Sequence, residues 1–364
     1  MKFSFGNSHD DQEIERIKED INPVYIYGAG VFAQNVERKL AQHGVNLAGR
    51  IVDDIYWSPD RSLTRLSDII GLTGTYSIVI GIESLCNHPD RVKDIFRNCF
   101  GLYTIMGVYD FVVESITMDD YNKHFREYDR VYERLEDDLS KKTFYDYLRS
   151  KIEEDNQYIV KDYVAEQYFL DMPYWSYRED EVFLDVGAFD GDTVLRFISS
   201  VNEKYERIYA VEPDPDNLNA LKRNTGQFDN IIYIESVMGD SSGTITFNSD
   251  RNLSSRIDDN GDMIVKMETI DELIGDERVS LIKMDIEGAE MLALDGARRT
   301  ISREHPMLFI CIYHKKDDAY RIMDFIDSCY PNYHYYMRAH HPIGPLEVVL
   351  YAIPEERFIS GEQV

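Results

Sequence analysis

Glu181-Val182-Phe183-Leu184-Asp185-Val186-Gly187-Ala188-Phe189-Asp190-Gly191-Asp192-Thr193 carries the most informative local pattern in this chain. Val182 to Val186 reads as a buried strand with Asp185 at its carboxyl end. Gly187 and Gly191 let the backbone pass close to a ligand, because glycine has no Cβ. Thr193 to about Val201 reads as the next helix. A strand, a glycine turn and a helix in that order build one unit of an open α/β sheet. Such sheets bind ligands in the crevice beyond the carboxyl ends of their strands.

Working outward, Ile208-Tyr209-Ala210-Val211-Glu212-Pro213-Asp214 is a second strand ending in an acid, 27 residues after Asp185. A carboxylate there can accept both hydroxyl hydrogens of a ribose. Pro213 cannot continue a ladder and fixes the exit. Asn217 to Asn224 should be helical, and Ile231 to Glu235 a strand, followed by Ser236-Val237. A hairpin is expected around Ser242-Gly243, with Thr244 to Phe247 as one arm and Val265 to Met267 pairing with it. Asn252 to Arg256 reads either as a solvated loop or as a pocket cover.

The fourth main strand is Val279 to Asp285. It runs into Ile286-Glu287-Gly288-Ala289-Glu290 and a helix to about Leu294, with Gly296 as its stop. Asp285 and Glu287 therefore stand near Asp185 and Glu212. Four acids at neighbouring strand ends are costly unless they meet donors or a metal. Glu290 reads as a charge stabilising the first helical turn. Pro306 to Tyr313 is a fifth strand ending in His314-Lys315. Tyr333 to Arg338 and Val348 to Ala352 read as an antiparallel pair at the sheet edge, with His340-His341 between them.

The first half has its own signal. Val24 to Tyr27 is a strand pattern followed by Gly28-Ala29-Gly30-Val31-Phe32-Ala33, the turn that opens a helix in a dinucleotide-binding unit. A helix is expected over 31–43 with Gly44 as its stop. Leu47 to Val52 and Ser77 to Ile82 should be further strands. Asp53, 25 residues after Gly28, is spaced to grip a ribose. The unit is short for a full dinucleotide site, so the turn reads either as a nucleotide or nucleotide-sugar site or as a scaffold. The domain reading is a small Rossmann-like α/β domain over 1–117, a helical connector over 118–175, and a second α/β domain over 176–364.

Composition narrows the function. The 364 residues include 39 Lys plus Arg against 67 Asp plus Glu, a net charge of -28. Such a surface repels phosphate backbones, which disfavours nucleic acid as a partner. No run approaches a membrane span, and the start of the chain lacks a hydrophobic signal core. Cys86, Cys99, Cys311 and Cys329 are scattered and read as free thiols, so a cytoplasmic location is expected. A homo-oligomer is compatible with all of this.

The order of motifs resembles a known family. Phe183-Leu184-Asp185-Val186-Gly187-Ala188-Phe189-Asp190-Gly191, Val211-Glu212-Pro213 and Lys283-Met284-Asp285-Ile286-Glu287-Gly288-Ala289-Glu290 resemble the FkbM type of class I S-adenosylmethionine-dependent methyltransferase. The resemblance implies a Rossmann-like seven-stranded sheet with the last strand antiparallel, here preceded by a small Rossmann-like domain. It implies S-adenosyl-L-methionine as cofactor and methyl transfer to a hydroxyl of a sugar, glycan or other small metabolite, in keeping with glycan biosynthesis. Carried over, Asp185, Gly187 and Gly191 match the turn around the methionine part of the cofactor, and Asp190 lies beside it. Glu212 matches the ribose acid. Ser236 and Val237 lie where the adenine edge passes, and Asp285 stands beside the transfer centre. Many members have a Glu within the fifth strand. Here the run is Ile310-Cys311-Ile312-Tyr313, which puts any role of that carboxylate in doubt.

A hydroxyl acceptor needs help losing its proton. His314 is the first choice of base and Asp285 the second, with His340 and His341 as further candidates. If the last two lie in a strand, they point to opposite faces. Asp285 with Glu287 also admits a divalent ion on oxygen ligands, although backbone N–H groups at a helix start explain Glu287 as well; a metal is not favoured. Lys283 is expected to pair with a nearby acid. Tyr168, Phe169, Tyr174 and Trp175 read equally as an acceptor groove or as core. Two rivals stand beside the methyltransferase: an NAD- or nucleotide-sugar-binding oxidoreductase or epimerase built on Gly28–Ala33, and a non-catalytic cofactor-binding scaffold.

Overall fold

The computed structural model describes residues 3–59, 62–72, 74–108, 113–248, 256–257 and 263–359. The chain divides into two compact units. The first takes Met1–Lys123, Tyr145–Asp162 and His341–Pro345; the second takes His124–Phe144, Tyr163–His340 and Leu346–Val364. No described helix is long and apolar enough to cross a membrane.

The first unit holds a five-stranded sheet of β1 (Val24–Tyr27), β2 (Gly49–Val52), β3 (Leu63–Arg65), β4 (Ser77–Ile80) and β5 (Leu102–Thr104). Their order is β3-β2-β1-β4-β5, and every pairing is parallel. The short strands β3 and β5 escaped the sequence reading because three residues give too little alternation to detect. The helix Val31–Gln42 follows the glycine turn as expected. Gly28 has φ +132°, and a Cβ there would sit 2.3 Å from the Gly81 carbonyl oxygen. The glycine is thus required where the ends of β1 and β4 meet. Asp53 accepts a hydrogen bond from the Tyr27 hydroxyl at 2.7 Å.

The second unit holds eleven strands among the described residues. In chain order they are β6 (Val182–Val186), β7 (Arg207–Val211), β8 (Ile231–Ile234), β9 (Val237–Met238), β10 (Gly243–Asn248), β11 (Arg256–Ile257), β12 (Met263–Glu268), β13 (Leu281–Met284), β14 (Met307–Cys311), β15 (Tyr333–Ala339) and β16 (Val348–Pro354). Seven of them form the main sheet in the order β15-β16-β14-β13-β6-β7-β8. The last strand, β16, is antiparallel to both neighbours, as the resemblance implies. Every residue of β6, β13, β14 and β16 is buried, the pattern of strands covered on both faces.

The remaining four strands form a small sheet, β11-β10-β12-β9. Thr244 to Phe247 pairs antiparallel with β12, Ile245 opposite Val265. The turn at Ser242-Gly243 does not close a hairpin with the preceding strand, however. β9, two residues long, instead pairs parallel with β12. Residues 252–255 of the polar segment lie outside the described residues.

His340 lies one residue beyond β15 and His341 follows it, so neither is in a strand. The alternation argument for opposite faces therefore does not apply.

The order of the main sheet sets the position of the site. β6 continues to β7 on one side, while β13 and β14 lie on its other side. The chain reverses its progression at β6, and the crevice beyond the β6 and β13 carboxyl ends is the topological switch point.

Candidate active site

The turn after β6 touches the turn after β13. Gly187 has φ +82°, and a Cβ there would lie 2.1 Å from the Asp285 carbonyl oxygen. Only glycine fits such an approach. The Asp285 N–H in turn donates to the Val186 carbonyl at 3.2 Å, fixing the two turns together. Lys283, fully buried, reaches across with its Nζ 2.7 Å from the Gly187 carbonyl and 3.1 Å from Asp185 Oδ1. Burial raises the Asp185 carboxyl to about 6 against the pull of Lys283. Burial works against the lysine charge too, yet Asp185 and Asp285 hold it above its ordinary value. The two form an ion pair at neutral pH.

Beyond β7, Glu212 is buried and faces inward. Its carboxylate accepts the Phe189 N–H at 3.0 Å, the Asp214 N–H at 3.0 Å and the Asn217 amide at 3.4 Å. Asp214 caps the helix Pro215–Thr225 through the N–H groups of Asp216 and Asn217, which places Asn217 beside Glu212. Burial pushes the Glu212 carboxyl up to about 7, and the hydrogen bonds restrain that rise.

After β13 the chain turns through Glu287 (φ +55°) and Gly288 (φ +91°) into the helix Glu290–Asp295. Glu290 Oε1 accepts the Ile286 N–H at 3.0 Å and so closes this turn. Asp285 Oδ2 accepts from the Tyr168 hydroxyl at 2.9 Å, and Oδ1 from the Tyr313 hydroxyl at 3.4 Å. His314 lies behind this turn, with no exposed surface. Its Nδ1 is 3.0 Å from Glu290 Oε1, and its Nε2 is 3.4 Å from Glu287 Oε2 and 3.9 Å from Asp285 Oδ1. Burial opposes a charged ring, but Glu290, Glu287 and Asp285 outweigh it and hold the imidazole well above its ordinary value. The surrounding carboxylates thus favour the protonated form of His314.

Together these turns enclose a cavity of ≈ 280 Å³. Gly187, Glu212, Ser236, Asp285, Tyr313 and Glu347 are among its lining residues. The Ser236 hydroxyl is buried there without a hydrogen-bond partner among the described residues. A buried hydroxyl without a partner is costly unless something else supplies one.

Residues 185–335 match the family model described as Methyltransferase FkbM domain. This part of the chain is an FkbM methyltransferase domain. A curated relative, the 2-O-methyltransferase NoeI of Sinorhizobium fredii (strain NBRC 101917 / NGR234), is 25% identical. That match covers 35% of this chain and 61% of NoeI, less than two thirds of the relative's length. Among solved structures, Methyltransferase FkbM from Methylobacillus flagellatus KT superposes with a TM-score of 0.74 at 20% identity, covering 96% of this chain and 94% of that one. At that identity the likeness speaks for the fold.

The residues named from sequence differ in where the structure puts them. Gly187, Glu212, Ser236, Val237 and Asp285 line the cavity. Asp185 sits behind the lining, paired with Lys283. Asp190 and Gly191 shape the turn instead. The Asp190 carbonyl accepts from Asn224, and Gly191 caps the helix Asp192–Ser200 in a left-handed conformation. His340 is buried away from the lining, its Nδ1 2.8 Å from the Val164 carbonyl and its Nε2 2.8 Å from the Tyr351 hydroxyl. The carbonyl requires the proton on Nδ1, so Nε2 accepts from Tyr351. Burial lowers the ring to about 4 and keeps it neutral. Tyr351 in turn accepts the backbone N–H of Tyr168, which holds that residue at φ +64°. In the first unit, His341 Nδ1 accepts from the Gly344 N–H at 3.1 Å and does not line the cavity.

Asp285, Glu290 and His314 bring ligand atoms within 4.8 Å of one another. In its protonated form His314 has no lone pair for a metal and serves as a counter-ion to these carboxylates. The sequence reading missed Glu347 altogether as a lining residue, and it left Tyr168 undecided between groove and core. Neither lies in a motif of the sheet; both arrive from segments distant in sequence.

Proposed function

We propose that the FkbM domain transfers a methyl group from S-adenosyl-L-methionine to a hydroxyl oxygen of a sugar, glycan or other small hydroxylated metabolite. The observation that carries this reading is the cavity at the switch point, where buried Glu212 and the unpartnered Ser236 hydroxyl face the same space. A ribose diol and an adenine edge fit that donor and acceptor set. The likeness to NoeI, a 2-O-methyltransferase, supports an oxygen acceptor.

When bound, the cofactor supplies a methyl group already activated on a sulfonium. Ionised Glu212 accepts the ribose hydroxyls. Gly187 lets the chain approach the cofactor without a side chain in between. Asp285 is held in one orientation by the Tyr168 and Tyr313 hydroxyls and keeps lone pairs for the hydrogen of an acceptor hydroxyl. It is the carboxylate placed to take that proton. The His314 imidazolium does not act as the base; it is the fixed positive charge behind Asp285 and Glu287. Asp285, Glu287 and Glu347 line the cavity, while the Lys283 charge is committed to Asp185. Like-charge repulsion therefore disfavours phosphorylated acceptors. The net charge of -28 disfavours nucleic acid in the same way.

Calorimetric titration with S-adenosylmethionine and S-adenosylhomocysteine, with NAD and nucleotide-sugars in parallel, tests the reading. Saturable binding of the first pair, lost in Glu212→Ala, supports it. Binding of NAD in their place would overturn it.

A further inference from the structure

Glu347 reaches the cavity from the segment just before β16, with its backbone at φ +51°. Two contacts pin it there. Its carbonyl accepts the His340 N–H at 3.0 Å, and its carboxylate accepts from the Gln167 side-chain amide. An oxygen of Glu347, an oxygen of Asp285 and Cys311 Sγ all lie within 4.8 Å of one another. Two half-buried carboxylates at that distance cannot both ionise cheaply.

The nearby cations are committed elsewhere. From β13, Lys283 is paired with Asp185 at 3.1 Å and hydrogen-bonded to the Gly187 carbonyl. After β14, His314 is held between Glu290 at 3.0 Å and Glu287 at 3.4 Å. Glu287 thus has its own counter-ion; Glu347 has no ion-pair partner among the described residues, and His314 and Lys283 pull its carboxyl down only from a distance. The other groups near Glu347 are neutral: the Gln167 amide, the hydroxyls of Tyr168 and Tyr313, and the Cys311 thiol, which burial holds well above its ordinary value.

We propose that Glu347 is the carboxylate by which this cavity distinguishes the charged cofactor from its spent product. Near neutral pH it is protonated in about half of the molecules when no positive ligand is present. It releases that proton to solvent when a sulfonium binds, and keeps it when the neutral thioether of S-adenosylhomocysteine binds. The proposal rests on the reading of the cavity as a S-adenosylmethionine site. Burial, then the charge of Asp285, raises the Glu347 carboxyl to about 7, which places the exchange near neutral pH. An incoming positive charge lowers it again.

The test is proton-linked calorimetry. Each ligand is titrated at pH 7 in two buffers of different ionisation enthalpy, which counts the protons released on binding. Any proton that Glu212 gives up is common to both ligands and cancels in their difference. S-adenosylmethionine should release about half a proton more than S-adenosylhomocysteine. The ratio of their affinities should shift about tenfold toward S-adenosylmethionine between pH 5.5 and 7.5. Glu347→Gln should abolish both differences, with its binding of S-adenosylhomocysteine as the check that the cavity has formed. Equal proton counts in the unaltered protein would overturn the proposal without any variant. A difference that survives in Glu347→Gln but vanishes in Glu287→Gln would overturn the assignment. Binding of neither ligand would sink the cofactor reading, and this proposal with it.

Discussion

Replacing Glu212 should separate cofactor affinity from folding stability. Glu212→Ala removes the acceptor of two backbone N–H groups and of the Asn217 amide. Water can enter from the cavity side, so the three orphaned donors cost near the low end of the usual range, about 3 kcal/mol in all. The loss in binding is at least as large. Two ribose hydroxyls donating to an ionised acceptor contribute about 1.5 kcal/mol or more each, so affinity should fall by about 150-fold at least. Glu212→Gln keeps the shape and one acceptor oxygen, and should lose less. It also reports on charge. Burial lifts the carboxyl from its usual 4.5 to about 7. The folded protein therefore retains a proton that the unfolded chain gives up, and that contribution to stability is present below about pH 4.5 and lost as pH rises through about 7. The loss across this window is about 3 kcal/mol. Without ligand, the stability of Glu212→Gln relative to the unaltered protein should rise by up to that amount from pH 5 to pH 8. Urea unfolding at the two pH values, with S-adenosylhomocysteine titrations alongside, measures both effects. An Ala variant that binds as tightly as the unaltered protein, or a Gln variant whose relative stability ignores pH, would refute the reasoning.

Three further outcomes follow from the same geometry. Lys283→Met leaves Asp185 buried without its partner and should cost about 3–5 kcal/mol; the double change with Asp185→Asn should recover most of this in a denaturant series. The imidazole nitrogens of His314 should show imidazolium chemical shifts at pH 7.5 in a ¹⁵N spectrum, whereas those of His340 should stay neutral down to about pH 4. For His314, whose folded value is raised, the stabilisation is complete below pH 6.5 and is lost as pH climbs through that folded value, so a neutral ring at pH 7.5 would contradict the carboxylate cage. Gly187→Ala combines a left-handed backbone with a Cβ 2.1 Å from the Asp285 carbonyl oxygen; it should lower stability by about 4 kcal/mol or more, and soluble protein with an unchanged melting temperature would show that the two turns part more easily than this contact implies.

What the sequence determined by itself is whatever depends on neighbours along the chain. The apolar runs of β6, β7 and β13, the glycine at 187 and the acid ending β7 are legible because strand period, turn conformation and spacing are local properties. They were enough to name the fold and to place Glu212, Ser236 and Asp285 around one crevice. The tertiary structure alone decided the charge states and the far wall of the cavity. Nothing near His314 in sequence reveals that Glu290, Glu287 and Asp285 close around it and raise its proton affinity. His340 reads as a catalytic candidate until Val164 and Tyr351 are seen to hold its ring neutral, behind the residue that positions Tyr168. Glu347 belongs to no periodic pattern; it reaches Asp285 because β16 inserts antiparallel beside β14 and the turn before it is left-handed. Proton affinity and cavity shape are set by groups brought together through space, so they follow the packing of the sheet and not the order of residues along the chain.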